Sequence, residues 1–191
     1  SGADVAASVL GGFVRFRRDG AQLEADRLPA PPGLEMRIVW TGKEARTSAF
    51  VARVGALAAR DRSTHRRLLG ELAELSTRFC EAFERGEGAS IVEAAARYHD
   101  AMRALGLAAG APIVDESLTA IAALARSSGG AAKPSGAGGG DVAVAFFASS
   151  ADAQRFDAAC ASRGLARIDM ELGVEGVTEL DSAGASEAPG R

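Results

Sequence analysis

The tightest constraint in the chain is the run Ala131-Ala132-Lys133-Pro134-Ser135-Gly136-Ala137-Gly138-Gly139-Gly140-Asp141, which abuts Val142-Ala143-Val144-Ala145-Phe146-Phe147 without a spacer. The second segment is apolar throughout and reads as a buried strand. The first must therefore deliver the chain straight into a sheet, through residues whose glycines permit positive φ. It fits neither known phosphate-binding pattern. A dinucleotide fingerprint starting at Gly136 needs its third glycine where Asp141 stands, and a P-loop needs Gly-Lys followed by Ser or Thr. Two readings remain. One is a loop whose N–H groups converge on an anion, with Lys133 as a point charge and Ser135 as a hydroxyl donor. The other is a flexible linker, against which the Lys-Pro pair and the missing spacer both argue.

Elsewhere the periodicity alternates between strand and helix. Leu34, Met36, Ile38 and Trp40 alternate with Glu35 and Arg37, the period of a half-buried strand, and Phe13 to Phe16 is a shorter strand candidate. From Thr47 the period becomes helical, with Phe50, Val51, Val54, Leu57 and Ala58 on one face and Thr47 or Ser48 placed to cap it. A second helix carries Leu68, Leu72, Leu75, Phe79 and Phe83 and stops near Gly86. A third carries Ile91, Ala95, Tyr98, Met102 and Leu105 and stops at Gly106. The fourth follows Pro112 with Asp115 as its cap, and a fifth spans about Ser150 to Arg163. A last strand alternates Ile168, Met170 and Leu172 with charged residues. These elements predict an α+β fold, an antiparallel four-stranded sheet with helices packed on one face. Residues 179–191 are small and polar and read as a flexible tail.

Composition narrows the function classes. At 191 residues the chain can bury a sizeable core, and 47% hydrophobic residues, 25% charged residues and a net charge of -3 describe a globular protein. That balance points away from a nucleic-acid partner. No apolar stretch reaches membrane-spanning length and no signal peptide precedes the fold, so no membrane partner is expected. Cys80 and Cys160 are too few for a disulfide framework, which suits a cytoplasmic location. With only His65 and His99 there is no metal-ligand spacing, and no metal site is expected. Both histidines, and the basic stretch Arg60, Arg62, Arg66 and Arg67, read as solvated helix faces.

Two further segments can carry chemistry. Ser1-Gly2-Ala3-Asp4-Val5-Ala6-Ala7-Ser8-Val9-Leu10-Gly11-Gly12 reads as a short helix with Asp4 in its first turn, where the helix dipole favours a carboxylate. Trp40-Thr41-Gly42-Lys43-Glu44-Ala45-Arg46-Thr47-Ser48 reads as a strand end, a tight turn and a helix cap.

Taken in order, these three segments resemble the GHMP small-molecule kinases, and within them the phosphomevalonate kinases. Lys133-Pro134-Ser135-Gly136-Ala137-Gly138-Gly139-Gly140-Asp141 is similar to the family's third motif in its Gly-Gly-Gly-Asp form. The first segment resembles the stretch bearing the family's active-site aspartate, and Trp40-Thr41-Gly42-Lys43 resembles a strand end common in phosphomevalonate kinases. Glu44 and Arg46 depart from the Pro and Ser expected there. The likeness runs to about residue 178. The family's N-terminal half, with its Pro-x-x-x-Gly-Leu-Gly-Ser-Ser loop, has no counterpart in these residues.

The resemblance implies a ferredoxin-like C-terminal kinase domain over residues 1–178, with 1–20 joining an N-terminal half that is its expected partner. It implies ATP and Mg2+ as cofactors and a small phosphorylated acid, 5-phosphomevalonate, as acceptor. Asp4 is the implied catalytic residue, and Ser1, Gly2, Lys133, Ser135, Gly136, Ala137 and Gly138 are the implied phosphate-binding residues. A phosphate acceptor is already an oxyanion at neutral pH, its second pKa being about 6, so Asp4 is expected to orient a lysine or the acceptor before serving as a base. A sister kinase acting on an alcohol such as mevalonate, and a non-catalytic anion-binding α+β module, are the alternatives. The chain alone is expected to fold in part and to show no turnover.

Overall fold

The computed structural model describes residues 2–44 and 47–178. They form two compact units. One comprises residues up to Pro29 together with those from Glu171 onward, and the other runs from Ala30 to Met170.

The larger unit is built on a four-stranded sheet whose neighbours are all antiparallel. Naming strands in chain order, β1 (Phe13–Asp19) and β2 (Gln22–Leu28) belong to the smaller unit, and the sheet comprises β3 (Glu35–Trp40), β4 (Ala131–Pro134), β5 (Val142–Phe147) and β6 (Ala166–Ile168) in the order β4-β5-β3-β6. The helices of this unit are α2 (Thr47–Arg60), α3 (Arg62–Arg85), α4 (Gly88–Ala109), α5 (Glu116–Ser127) and α6 (Ser150–Ser162). Strand, helices, two strands, helix, strand, with the first and third strands central, is the split βαβ arrangement of a ferredoxin-like fold.

The pleat divides the sheet's residues between two faces. Val39, Ala132, Ala143, Ala145 and Phe147 meet Leu118, Ile121 and Ala125 of α5 and Phe156 and Cys160 of α6 in one core. The Phe147 and Phe156 rings lie 5.1 Å apart at its centre. Asp157 of α6 clamps this face, accepting from Arg37 Nε on β3 at 3.1 Å and pairing with Arg167 of β6 at 2.9 Å. Phe146 points the other way, edge-on to Phe79 of α3 at 5.3 Å. A second core joins Phe50 and Leu57 of α2, Leu68 of α3 and Met102 and Leu105 of α4 to Ile113.

Helix ends follow their caps. Asp61, Asp115 and Ser149 accept from the backbone N–H three residues on, and Gly86 and Gly110 close α3 and α4 in the left-handed region. The expected stop of the third helix at Gly106 is corrected, since α4 continues to Ala109. Gly106 is there because the returning chain lies on it: a Cβ would come 2.7 Å from the Ala111 carbonyl oxygen. Arg60, Arg62, Arg66 and Arg67 are all exposed, as a solvated face requires, and Arg60 also donates to the Ala108 carbonyl at the end of α4.

The smaller unit contains α1 (Ala3–Leu10) and the β1–β2 hairpin, and Gly11 bridges to Glu175. Two strand assignments therefore change. Phe13–Phe16 pairs with Gln22–Leu28 instead of joining the four-stranded sheet, whose fourth member is Ala131–Pro134. Both unforeseen strands lack an alternating signal, β2 because nearly all of it is exposed and β4 because it is four residues long. The last strand is shorter than expected, Ala166–Ile168 paired with Ile38 to Trp40, and Met170 and Leu172 lie beyond it. The segment expected to be a flexible tail lies outside the described residues.

His99 also differs from expectation. It is buried on α4 at 3% exposure, and its Nδ1 has no hydrogen-bond partner among the described residues. Burial, aided by Arg126 and Arg103 and opposed by Asp100, holds its pKa below the ordinary 6.5. The unfolded chain therefore takes up this proton first on acidification. The stability contribution is complete above pH 6.5 and is lost as pH falls from there toward the folded-state pKa. Urea midpoints measured at half-unit steps from pH 7.5 to 5.5 should fall, and His99→Gln should flatten that slope. An unchanged slope in the variant would show that His99 is not its source.

Candidate functional site

The glycine-rich run is the β4–β5 connection. Its first part, Ser135 to Ala137, is exposed, and Gly138 and Gly140 are buried beneath it. Backbone angles explain the composition: φ is +79° at Gly138, +79° at Gly139, +122° at Gly140 and +64° at Asp141. Four successive residues in a region closed to most side chains require glycine, with aspartate among the few residues that tolerate it. Sterics add to this. A Cβ on Gly138 would lie 2.0 Å from the Ile113 carbonyl oxygen, and one on Gly139 would lie 1.9 Å from the Phe50 ring.

Hydrogen bonds pin the same residues. Ser135 N–H donates to Val142 O at 2.9 Å, Gly139 N–H to Ile113 O at 2.7 Å and Asp141 N–H to Lys43 O at 2.6 Å, while Asp141 O accepts from Thr41 N–H at 2.8 Å. This is not a linker, because both of its sides are fastened to other elements. The donors left without an acceptor among the described residues are the N–H groups of Gly136, Ala137, Gly138 and Gly140.

Lys133 is a strand residue, not a loop residue, and sits opposite Val144 in the β4–β5 ladder. Its ammonium donates to the Pro134 carbonyl at 3.0 Å and stands 5.3 Å from the centre of the Tyr98 ring on α4. Burial lowers its pKa to about 8. Lys43, read from sequence only as part of a turn, also belongs here. Its carbonyl anchors Asp141, and its ammonium reaches the Asp115 carboxylate at 3.4 Å while the other oxygen of that carboxylate caps α5. A compositional signal was available for both: of 22 basic residues only Lys43 and Lys133 are lysine, and both border the glycine loop.

The remaining sequence-predicted residues lie in the smaller unit or outside the described residues. Gly2 is left-handed at φ +88° ahead of α1, and Asp4 is exposed in that helix's first turn with its carbonyl accepting from Ser8 Oγ at 3.0 Å. No side-chain cap bond forms at this helix start. Ser1 and Arg46 fall outside the described residues. Among the described residues no three acidic, histidine or cysteine side chains gather to hold a metal ion, and no helix is long and apolar enough to cross a membrane.

The pinning generates a contrast between two glycines of one loop. Gly139→Ala should lower the unfolding free energy by about 1–3 kcal/mol, combining a positive-φ penalty with the Phe50 clash. Gly136→Ala, with negative φ and open space around it, should stay within about 0.5 kcal/mol of the parent. Urea denaturation of the two variants measures the difference, and equal stabilities would refute the anchoring.

Comparisons with known proteins agree with this architecture. The family described as "GHMP kinases C terminal" matches residues 54–164. A phosphomevalonate kinase of Streptomyces sp. (strain CL190) is 31% identical over 98% of the chain and 53% of its own length, so the chain spans about half of that relative. Among solved structures, L. major mevalonate kinase in complex with R-mevalonate shares the fold with a TM-score of 0.76 and 24% identity, over 87% of this chain and 51% of that one. Streptococcus pneumoniae phosphomevalonate kinase, in complex with phosphomevalonate and AMPPNP, does so with a TM-score of 0.68 and 20% identity, over 81% and 44%. A four-stranded ferredoxin-like sheet, a pinned glycine loop and a family match across more than half the residues lead to one conclusion: this chain belongs to the GHMP kinase family and carries its C-terminal domain.

Proposed function

We propose that the chain is the acceptor-binding part of a kinase that moves the γ-phosphoryl group of ATP onto the phosphate of 5-phosphomevalonate, with a nucleotide-binding half of the same kinase as its partner. One observation carries the reading. The N–H groups of Gly136, Ala137 and Gly138 have no acceptor among the described residues, and they follow Lys133 on a loop fastened at Ser135, Gly139 and Asp141. Such donors suit a phosphate, and their pinned backbone needs little reorganisation when charge accumulates. The likeness to the Streptomyces phosphomevalonate kinase supports that acceptor.

The chemistry balances without a base. An oxygen of the acceptor phosphate attacks the γ-phosphorus, the bond from that phosphorus to its ADP bridging oxygen breaks, and a diphosphate and ADP leave. With a second pKa near ~6, the attacking oxygen carries no proton at neutral pH. The protein's task is positioning and charge balance. Lys133 and the loop amides hold the acceptor phosphate, Ser135 adds a hydroxyl donor, and Asp4 orients a cation or the acceptor. Mg2+ would arrive on the nucleotide and balance its phosphate charge. The described residues supply no cluster of acidic, histidine or cysteine ligands for it.

The likeness to a mevalonate kinase motivates a second reading, an alcohol acceptor, for which the exposed Asp4 carboxylate would serve as general base.

Steady-state kinetics of the intact enzyme test the binding roles. With ATP saturating, Lys133→Ala and Ser135→Ala should raise KM for 5-phosphomevalonate about tenfold or more with a smaller change in kcat. Unchanged KM values in both variants would overturn the phosphate-binding loop.

Asp4→Asn separates the two acceptors. An orienting Asp4 should cost less than about 10²-fold in kcat and leave the acid limb of the pH profile in place, because that limb belongs to the substrate phosphate. A general base should cost about 10²–10⁴-fold and remove its own ionisation from the profile. Wild-type turnover across the pH range would exclude both roles.

A further inference from the structure

The half-buried Lys133 ammonium has three N–H donors and, among the described residues, one hydrogen-bond acceptor, the Pro134 carbonyl. No carboxylate among the described residues forms an ion pair with it, and burial is the one influence that moves its ionisation. An ammonium placed this way loses hydration that a single carbonyl cannot replace. Its remaining neighbour of defined geometry is the ring of Tyr98, with Nζ 5.3 Å from the ring centre, inside the range of a cation–π contact. Tyr98 is the only tyrosine in the chain, and its phenol is kept neutral by burial, which raises its pKa.

The choice of partner matters chemically. A carboxylate would neutralise the lysine and compete with an incoming anion. A ring face attracts the cation yet leaves its charge, and its unused N–H donors, available to a phosphate. Lysine is also the uncommon choice here, since 20 of the 22 basic residues are arginine. A compact ammonium fits over a ring and against a carbonyl where a planar guanidinium would present a fork.

We propose that Tyr98 is the positioning residue of the phosphate-binding loop, its ring face holding the Lys133 ammonium charged and unneutralised for the acceptor phosphate. This rests on the proposed function and adds a residue that neither the glycine motif nor the Lys-Pro pair includes.

Two variants and two readouts test it. Tyr98→Phe keeps the ring face, whereas Tyr98→Leu keeps apolar bulk without it. In the 191-residue chain labelled with ¹³C,¹⁵N-lysine, two side-chain signals are expected, and Lys43→Arg assigns them. The Lys133 signal should titrate in Tyr98→Phe as in the parent and at lower pH in Tyr98→Leu, because the cation loses its attraction to the ring. In the intact enzyme, Tyr98→Leu should raise KM for 5-phosphomevalonate about 3- to 30-fold with kcat within about twofold, and Tyr98→Phe should restore KM. Equal Lys133 titrations in all three proteins, or a KM effect that Tyr98→Phe shares, would overturn the positioning role. A raised KM in Lys133→Ala beside an unaffected Tyr98→Leu would overturn the role of Tyr98 alone. An unaffected Lys133→Ala would overturn the proposed function and this role with it.

Discussion

The Gly139 N–H donating to the Ile113 carbonyl at 2.7 Å is the contact on which the arrangement of the larger unit turns. Ile113 lies in the segment that leaves α4 and enters α5, so the bond fastens the β4–β5 connection to the joint between the helical core and the sheet core. A methyl group on Gly138 would collide with Ile113 O and one on Gly139 with the Phe50 ring, and the approach is possible only for a backbone bare of Cβ. Asp141 makes the matching attachment on the other side through Lys43 O. Because the loop is held at both of these points, its exposed apex is a fixed surface of N–H groups, which is the condition for anion binding without a large ordering cost.

Lys133 shows the same logic in its electrostatics. Lowering an ammonium to about 8 without a compensating carboxylate works against the folded state, and a stabilising substitution at that position would remove the charge. A residue kept under that penalty is a candidate for chemistry. The Arg37–Asp157–Arg167 cluster on the opposite face is the contrasting case. There every charge meets its opposite, with Asp157 shared between two guanidinium groups, and the result locks α6 to β3 and β6.

How much of this could be read from sequence depended on how far each signal was local. The α+β class, the five long helices, the Asp115 cap and the strand Val142–Phe147 all rest on periodicity or on a cap within a few residues, and these agree with the structure. The glycine run announced a special backbone for the same reason. What periodicity could not convey was partnership. β2 is a nearly fully exposed strand with no apolar alternation, and β4 is four residues of which the first two are alanine. Gly106 looked like a helix stop because its use is to admit a chain segment five to seven residues later. His99 looked solvated because its sequence neighbours are charged, although its own face of α4 is buried. Lys43, Tyr98 and Lys133 are separated by 55 and 35 residues, and nothing local joins them.

That separation bears on specificity. The loop amides are sequence-blind donors that would accept any phosphate, sulfate or carboxylate of suitable size. Discrimination must come from side chains brought in by other elements, and the structure offers two cations with opposite attachments. Lys43 is exposed and paired with Asp115, so an anion binding there must compete with a carboxylate. Lys133 is half-buried and has no ion-pair partner among the described residues, so an anion binding there relieves a desolvated charge instead of displacing a partner. A dianionic phosphate gains more from the second cation than a neutral hydroxyl does, because the attraction scales with the product of the charges in a medium less polar than water. On the proposed function, the Lys133 end of the loop is therefore where a phosphorylated acceptor is separated from its alcohol precursor, and the amides at the apex supply affinity common to both.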